Sequence, residues 1–151
     1  MQKIMFDEAY EGIINAYYSK LNAAKDEPGG LIEGTKTIVR GDKVRGTPKP
    51  PTIWIFPHAS LNNQSMSSME DWTLPVQLIA VVKNNDPEKG YYEAFRLAAR
   101  ARSVILKDRN FGLPYVRDTI SYGFDETEEP NKRKNFYAHY ALLWTRFEVY
   151  E

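Results

Sequence analysis

Apolar residues recur along this chain with two periods, and the switch between them marks out the elements. From about Glu8 to Ala24 the spacing is helical. At about 100° per residue, Phe6, Ala9, Tyr10, Ile13, Ala16, Tyr17 and Leu21 gather on one arc, opposite Glu8, Glu11, Asn15, Ser19 and Asn22. Asp7 is the expected cap. Glu27-Pro28-Gly29-Gly30 ends the helix, because proline cannot continue it and glycine accepts the left-handed cap. The expectation is an amphipathic helix over residues 7–24, lying on a sheet.

Residues 31–51 are polar and heavily punctuated. Thr35 to Arg40 and Lys43 to Gly46 are spaced to pair as a hairpin across Gly41-Asp42. Arg40-Gly41-Asp42 also spells a cell-adhesion tripeptide, but such tripeptides are common by chance and the expectation is a plain loop. After the extended Pro48-Lys49-Pro50-Pro51 run, Thr52 to Phe56 reads as a buried strand closed by Pro57. Ser60 to Met69 reads as a polar loop, mobile or ordered by a partner.

The clearest pattern runs from Asp71 to Lys107. Over Asp71 to Val82, Trp72, Leu74, Val76, Leu78, Ala80 and Val82 share one face, and Thr73, Pro75, Gln77, Ile79 and Val81 the other. Both faces turn apolar toward Val82, so cover on both sides is expected there. Pro75 lacks a ladder donor, which points to an edge or a bulge. Asp86 and Pro87 then start a helix as cap and first residue. Its apolar face centres on Ala94, Ala98, Ala101 and Ile105, flanked by Leu97 and Val104 on one side and Tyr91, Phe95 and Leu106 on the other. The alanines permit a close approach to the sheet. Arg102 breaks the pattern, falling between Phe95 and Tyr91 on the wheel.

A strand from about Tyr115 to Phe124, a charged loop from Asp125 to Lys134 and a long strand from Phe136 to Tyr150 complete the chain. The last strand is apolar on both faces. The order of elements makes this α+β, with two main helices packed on a mostly antiparallel sheet in a single domain over residues 1–151. Residues 52–151 form its strand–helix–strand core.

Charge narrows the function classes. Lys plus Arg and Asp plus Glu both total 20, so the net charge is zero. A free-standing nucleic-acid binder normally carries a basic excess to neutralise phosphates. A neutral chain is poorly protected from self-association, and aromatic content of 13%, with ten Tyr and three Trp, suits subunit contacts. The absence of Cys removes disulfides, thiolate catalysis and Cys-based metal sites. No apolar run approaches the roughly 18 residues a membrane span needs, and no apolar leader precedes the first helix. The expectation is a soluble chain made in the cytoplasm, without membrane contact.

Candidate chemistry is sparse. His58 and His139 are far apart and outside any zinc-ligand spacing. His139 is expected as a satisfied structural residue and His58 in a loop. Glu126, Glu128 and Glu129 fit a solvated loop as well as an acid–base role. No phosphate-binding glycine loop or nucleophile elbow is present. No enzyme, metal or cofactor is expected. Arg96, Arg100 and Lys107 form a basic stripe, either a solvated helix face or a nucleic-acid contact. Arg102 either snorkels from the rim or pairs with a carboxylate at a subunit interface. Its expected place is at a subunit boundary or beside a carboxylate. Trp54, Trp72 and Trp144 are expected in the core, with subunit contact as the alternative.

Several segments in order carry a family likeness: Pro50-Pro51-Thr52-Ile53-Trp54-Ile55-Phe56-Pro57, Leu78-Ile79-Ala80-Val81-Val82, Tyr91-Tyr92-Glu93-Ala94-Phe95-Arg96-Leu97-Ala98 and Ile105-Leu106. Gly112-Leu113-Pro114-Tyr115-Val116, His139-Tyr140-Ala141-Leu142-Leu143 and Phe147-Glu148-Val149 follow. From about Pro50 onward the chain resembles the tail terminator, or tail completion, proteins of long-tailed bacteriophages. The likeness lies in the order of elements and their apolar positions, without an invariant motif.

The resemblance implies a virion protein, assembled in the host cytoplasm, that closes into a hexameric ring on the last ring of the tail tube. There it stops tube polymerisation and offers the docking surface for the neck or head-completion protein. DNA crossing the lumen without sequence recognition is a further implied partner. Polar loops at Arg40 to Lys49 and Ser60 to Met69 would suit tube or neck. The expected contact residues are Arg102, Arg96, Arg100, Arg40, Lys43, Arg45, Met66 and Met69. A neck or head-completion protein of the same particles, and a small enzyme or nucleic-acid binder, stay open as alternatives.

Overall fold

The computed structural model describes residues 3–40, 49–58, 60–63, 69–126 and 135–150. The elements are α1 (Phe6–Lys25), β1 (Thr37–Arg40), β2 (Thr52–Pro57), β3 (Leu61–Asn63), β4 (Met69–Lys83), α2 (Pro87–Leu106), β5 (Val116–Glu126) and β6 (Phe136–Tyr150). The class is α+β, as expected. One sheet runs β1-β2-β4-β6-β5, with β3 also paired to β4; β1 and β2 are parallel and every other pair is antiparallel.

Some local expectations need correction. The cap of α1 is Met5, without a side-chain hydrogen bond, and Asp7 lies in the first turn. Tertiary contact explains the earlier start: Ile4 bridges to Tyr150, and the Phe6 ring packs 4.5 Å from Trp72. Thr37 to Arg40 forms β1 and pairs in parallel with β2; the hairpin expected with Lys43 to Gly46 lies outside the described residues. The expected loop at Ser60 to Met69 contains β3, and Met69 opens β4; 64–68 are not described.

Pro75 sits in an interior strand. It is tolerated because its carbonyl accepts from His58 N at 2.8 Å, in the gap between β2 and β3. In an antiparallel ladder a residue's N–H position and carbonyl point to the same side, so the missing donor faces that gap.

Both helices cover one face of the sheet. The core joins Ala9, Ile13, Tyr17 and Leu21 of α1 and Ala101, Val104 and Ile105 of α2 to Leu74, Val76 and Leu78 of β4 and Ala141, Leu143 and Phe147 of β6. Asp86 caps α2, its carboxylate accepting from Glu88 N at 3.0 Å. Ala94, Ala98, Ala101 and Ile105 are buried, which confirms the face read from the spacing. Gly90 brings the start of α2 onto the sheet: a Cβ there would stand 2.2 Å from the Tyr137 ring.

Within this layer Tyr17 is the largest fully buried side chain. Its hydroxyl shares a 2.6 Å hydrogen bond with Thr145 Oγ1, which in turn lies 3.0 Å from Thr119 Oγ1. Burial pushes the Tyr17 phenol well above its ordinary pKa, so it stays protonated. At the sheet margin, β5 pairs with β6 through two register shifts, between Val116 and Asp118 and between Ser121 and Gly123.

Candidate assembly surface

The other face of the sheet has no helix upon it among the described residues. Cross-strand partners share a face, so the register lays out its rows: Trp54–Ile79–Tyr140, Phe56–Gln77–Leu142 and Pro75–Trp144–Ile120. Trp54, Phe56, Ile79, Leu142 and Trp144 are half-buried. Tyr122, bulged from β5, is 62% exposed and stacks on Trp144 with ring centroids 4.6 Å apart. Trp54 and Trp144 are therefore not core residues, and only Trp72 packs against the core. Among the described residues, helix cover near Val82 lies on one side of the sheet, although Thr52, paired with Val81 on the other face, is also buried.

Polar residues close one end of this open face. Arg146 holds Asp118 with two hydrogen bonds, 2.8 Å from Nε and 2.6 Å from Nη2. Arg117 pairs with Glu148 and lies 3.1 Å from Asp71, while Tyr150 Oη donates to Glu148 at 2.6 Å. The hydrogen bond from Arg146 holds the Asp118 carboxyl below its ordinary pKa; the bond from Tyr150, then Arg117, does so for Glu148.

The sign follows from linkage. A carboxyl depressed in the folded state contributes stability above its unfolded pKa, near 4, and loses it as pH falls through the folded value. The urea midpoint is expected to stay level from neutrality to about pH 5 and to fall below about pH 4. Asp118→Asn should flatten part of that fall; an unchanged slope would place the acid sensitivity elsewhere.

A second aromatic surface lies on the helix side, along the α2–β5 rim. Tyr91, Tyr92, Phe95 and Phe124 are all exposed, and the Phe95 and Phe124 rings are 5.4 Å apart. Beneath them His139 is buried against the edges of Tyr91 and Phe95. Among the described residues its Nδ1 finds no hydrogen-bond partner, so it is not satisfied as expected. Arg102 belongs to this rim. Its Nε donates to Ser121 Oγ at 2.8 Å and its guanidinium lies over the Phe124 ring at 5.7 Å. It is neither in the core nor free in solvent, and Phe124 and Ser121 account for its place on the apolar face.

The remaining expected contact residues scatter. Arg40 is engaged within the fold, donating to Asn15 and lying 4.4 Å over the Tyr18 ring. Met69 is half-buried at the start of β4, opposite Tyr150. Arg96 and Arg100 are exposed together on α2. Lys43, Arg45 and Met66 lie outside the described residues. His58 is exposed, as expected of a loop residue.

Sequence reasoning missed the Arg117–Asp71–Glu148 group, whose members come from three strands. The two-sided apolar pattern of β6 was the available signal for the open face. Among the described residues no group of three or more His, Asp or Glu is placed to hold a metal, and no helix is long and apolar enough to cross a membrane. No protein-family model matches the chain, and a search of curated proteins finds no match.

Proposed function

We propose that this chain is a structural subunit that joins copies of itself head to tail into a ring, and that the ring caps a phage tail tube in the manner of a tail terminator. Two different aromatic surfaces on one subunit carry the reading: the open sheet face with Trp54 and Trp144, and the α2–β5 rim with Tyr92, Phe95 and Phe124. A two-fold dimer uses one patch twice. Two unlike patches that fit each other give a head-to-tail contact, which closes into a ring when the rotation permits.

Zero net charge supports close association of like chains. The order of segments from Pro50 onward, similar to the tail terminators, supports the particular role. In that role the ring ends tube growth and presents a surface to the neck, with the contacts made by packing and not by a reaction.

Native mass and electron microscopy of the purified chain, alone and mixed with tail tubes, test the reading. The expected particle is a ring of about six copies, by analogy with that family. A strict monomer under both conditions would overturn the assignment.

A further inference from the structure

Among the described residues seven large apolar side chains are exposed, and five of them, Tyr91, Tyr92, Phe95, Tyr122 and Phe124, stand along the α2–β5 margin. The register shift between Ser121 and Gly123 arranges them. In a regular strand residues 122 and 124 would share a face; the extra residue at the shift divides them. Tyr122 stacks on Trp144 over the open face, while Phe124 meets Phe95 and lies under Arg102 on the helix side. The aromatic surface therefore wraps the β5 margin from one face of the sheet to the other. At roughly 150–250 Å² per aromatic side chain, these five leave roughly 450 Å² of their surface to solvent. That is more than half of the roughly 800 Å² that each partner gives to a stable contact.

The open face is itself divided. Trp54 and Phe56 lie on β2, whereas Trp144 lies on β6, next to β5. Gln77 separates Phe56 from Leu142 in one row. The row through Trp54 ends on β5 in a carboxylate, Asp125, to which Tyr140 Oη donates at 3.4 Å. Three strand spacings, about 14 Å, separate β2 from β5. A head-to-tail contact needs its two patches apart on one subunit, or a neighbour seated on one patch blocks the other. Trp144 and Tyr122 adjoin the margin that carries Phe95 and Phe124, so a neighbour covering the first pair would cover the second. Trp54 and Phe56 meet the requirement.

We infer that the β5 margin, aromatic on both faces, is the inserting side of the contact, and that the Trp54–Phe56 half of the next copy's open face receives it. The inference rests on the ring reading above and assigns each half of the open face to one contact. Trp144 then belongs with Tyr122 to the inserting side.

Sedimentation and native mass of the full chain test it with two variants, W54E for the receiving half and Y92E/Y122E for the inserting margin. Tyr92 and Tyr122 are exposed and Trp54 stands outside the core, so circular dichroism should show the fold unchanged. Alanine at the same positions serves where glutamate unfolds the chain. Each variant alone should associate about thirtyfold or more weakly than wild type. An equimolar mixture, read at the highest soluble concentration, should give a particle of two subunits and nothing larger. The intact margin of W54E meets the intact half of Y92E/Y122E, and both outer ends are blocked. W54E that associates with wild-type affinity overturns the assignment, since copies then meet margin to margin or beside Trp144. Wild-type affinity in Y92E/Y122E overturns it too, as in a two-fold contact between Trp54 halves. So do folded variants that stay single when mixed. Each of these results leaves the ring reading standing where wild type forms rings. A wild-type chain that remains monomeric alone and with tail tubes overturns both.

Discussion

Replacing Trp54 and Trp144 together by glutamate is expected to abolish ring formation while leaving the subunit folded. Both side chains lie on the open face of the sheet and stand outside the core that the helices cover. Aromatic residues at the centre of a contact typically contribute about 2 kcal/mol or more each when truncated, so losing two weakens association on the order of a thousandfold. Charge adds to this, because a carboxylate closed into an apolar contact has no partner there. The fold should tolerate the change, since neither residue fills space between helix and sheet. Analytical ultracentrifugation gives the association constant and circular dichroism the fold. Rings of wild-type affinity from a folded double variant would show that copies do not meet through this face.

The largest loss of stability is expected at Tyr17. Truncation to alanine removes the biggest fully buried side chain and opens a cavity between α1, β6 and Phe111, whose ring lies 4.9 Å away. Aromatic-to-alanine changes in cores cost about 3–5 kcal/mol, so the folding equilibrium should shift by roughly a thousandfold. Tyr17→Phe separates packing from hydrogen bonding. It keeps the ring and removes the 2.6 Å bond to Thr145, which still has Thr119 Oγ1 3.0 Å away. That variant should lose only about 1 kcal/mol. Urea unfolding of both gives the comparison; equal losses would mean that the hydroxyl network, not the ring, holds α1 on the sheet.

The local patterns were legible because each is written in neighbouring residues. The helical period around Ala94, Ala98 and Ala101 identified the buried side of α2, and the alternation from Trp72 to Val82 identified the covered side of β4. What failed was long-range. The parallel pairing of β1 with β2 depends on where the chain returns after residue 40, which periodicity does not encode. Pro75 pointed to an edge by itself, yet the gap it needs is supplied by β2 and β3. Arg102 appeared as a misplaced charge; an acceptor and a ring on β5 give it a place. Nor did local sequence say which face lacks helices, so Trp54 and Trp144 were assigned to a core they do not enter. The open face depends on both helices crossing to the same side.

The two register shifts in β5 bear on how far assembly runs. A straight margin strand is a template onto which another chain can add rung by rung, and such growth has no natural end. Each shift in β5 breaks the even spacing of its outer amides and carbonyls and raises the local twist. Extension of the sheet from one molecule into the next is thereby penalised along this flank. In the proposed ring, copies that meet along this flank would do so through side chains, where the angle between the two contacting surfaces sets a finite count. For the proposed ring, the same irregularity that looks like a flaw in pairing would favour a countable particle over a fibre.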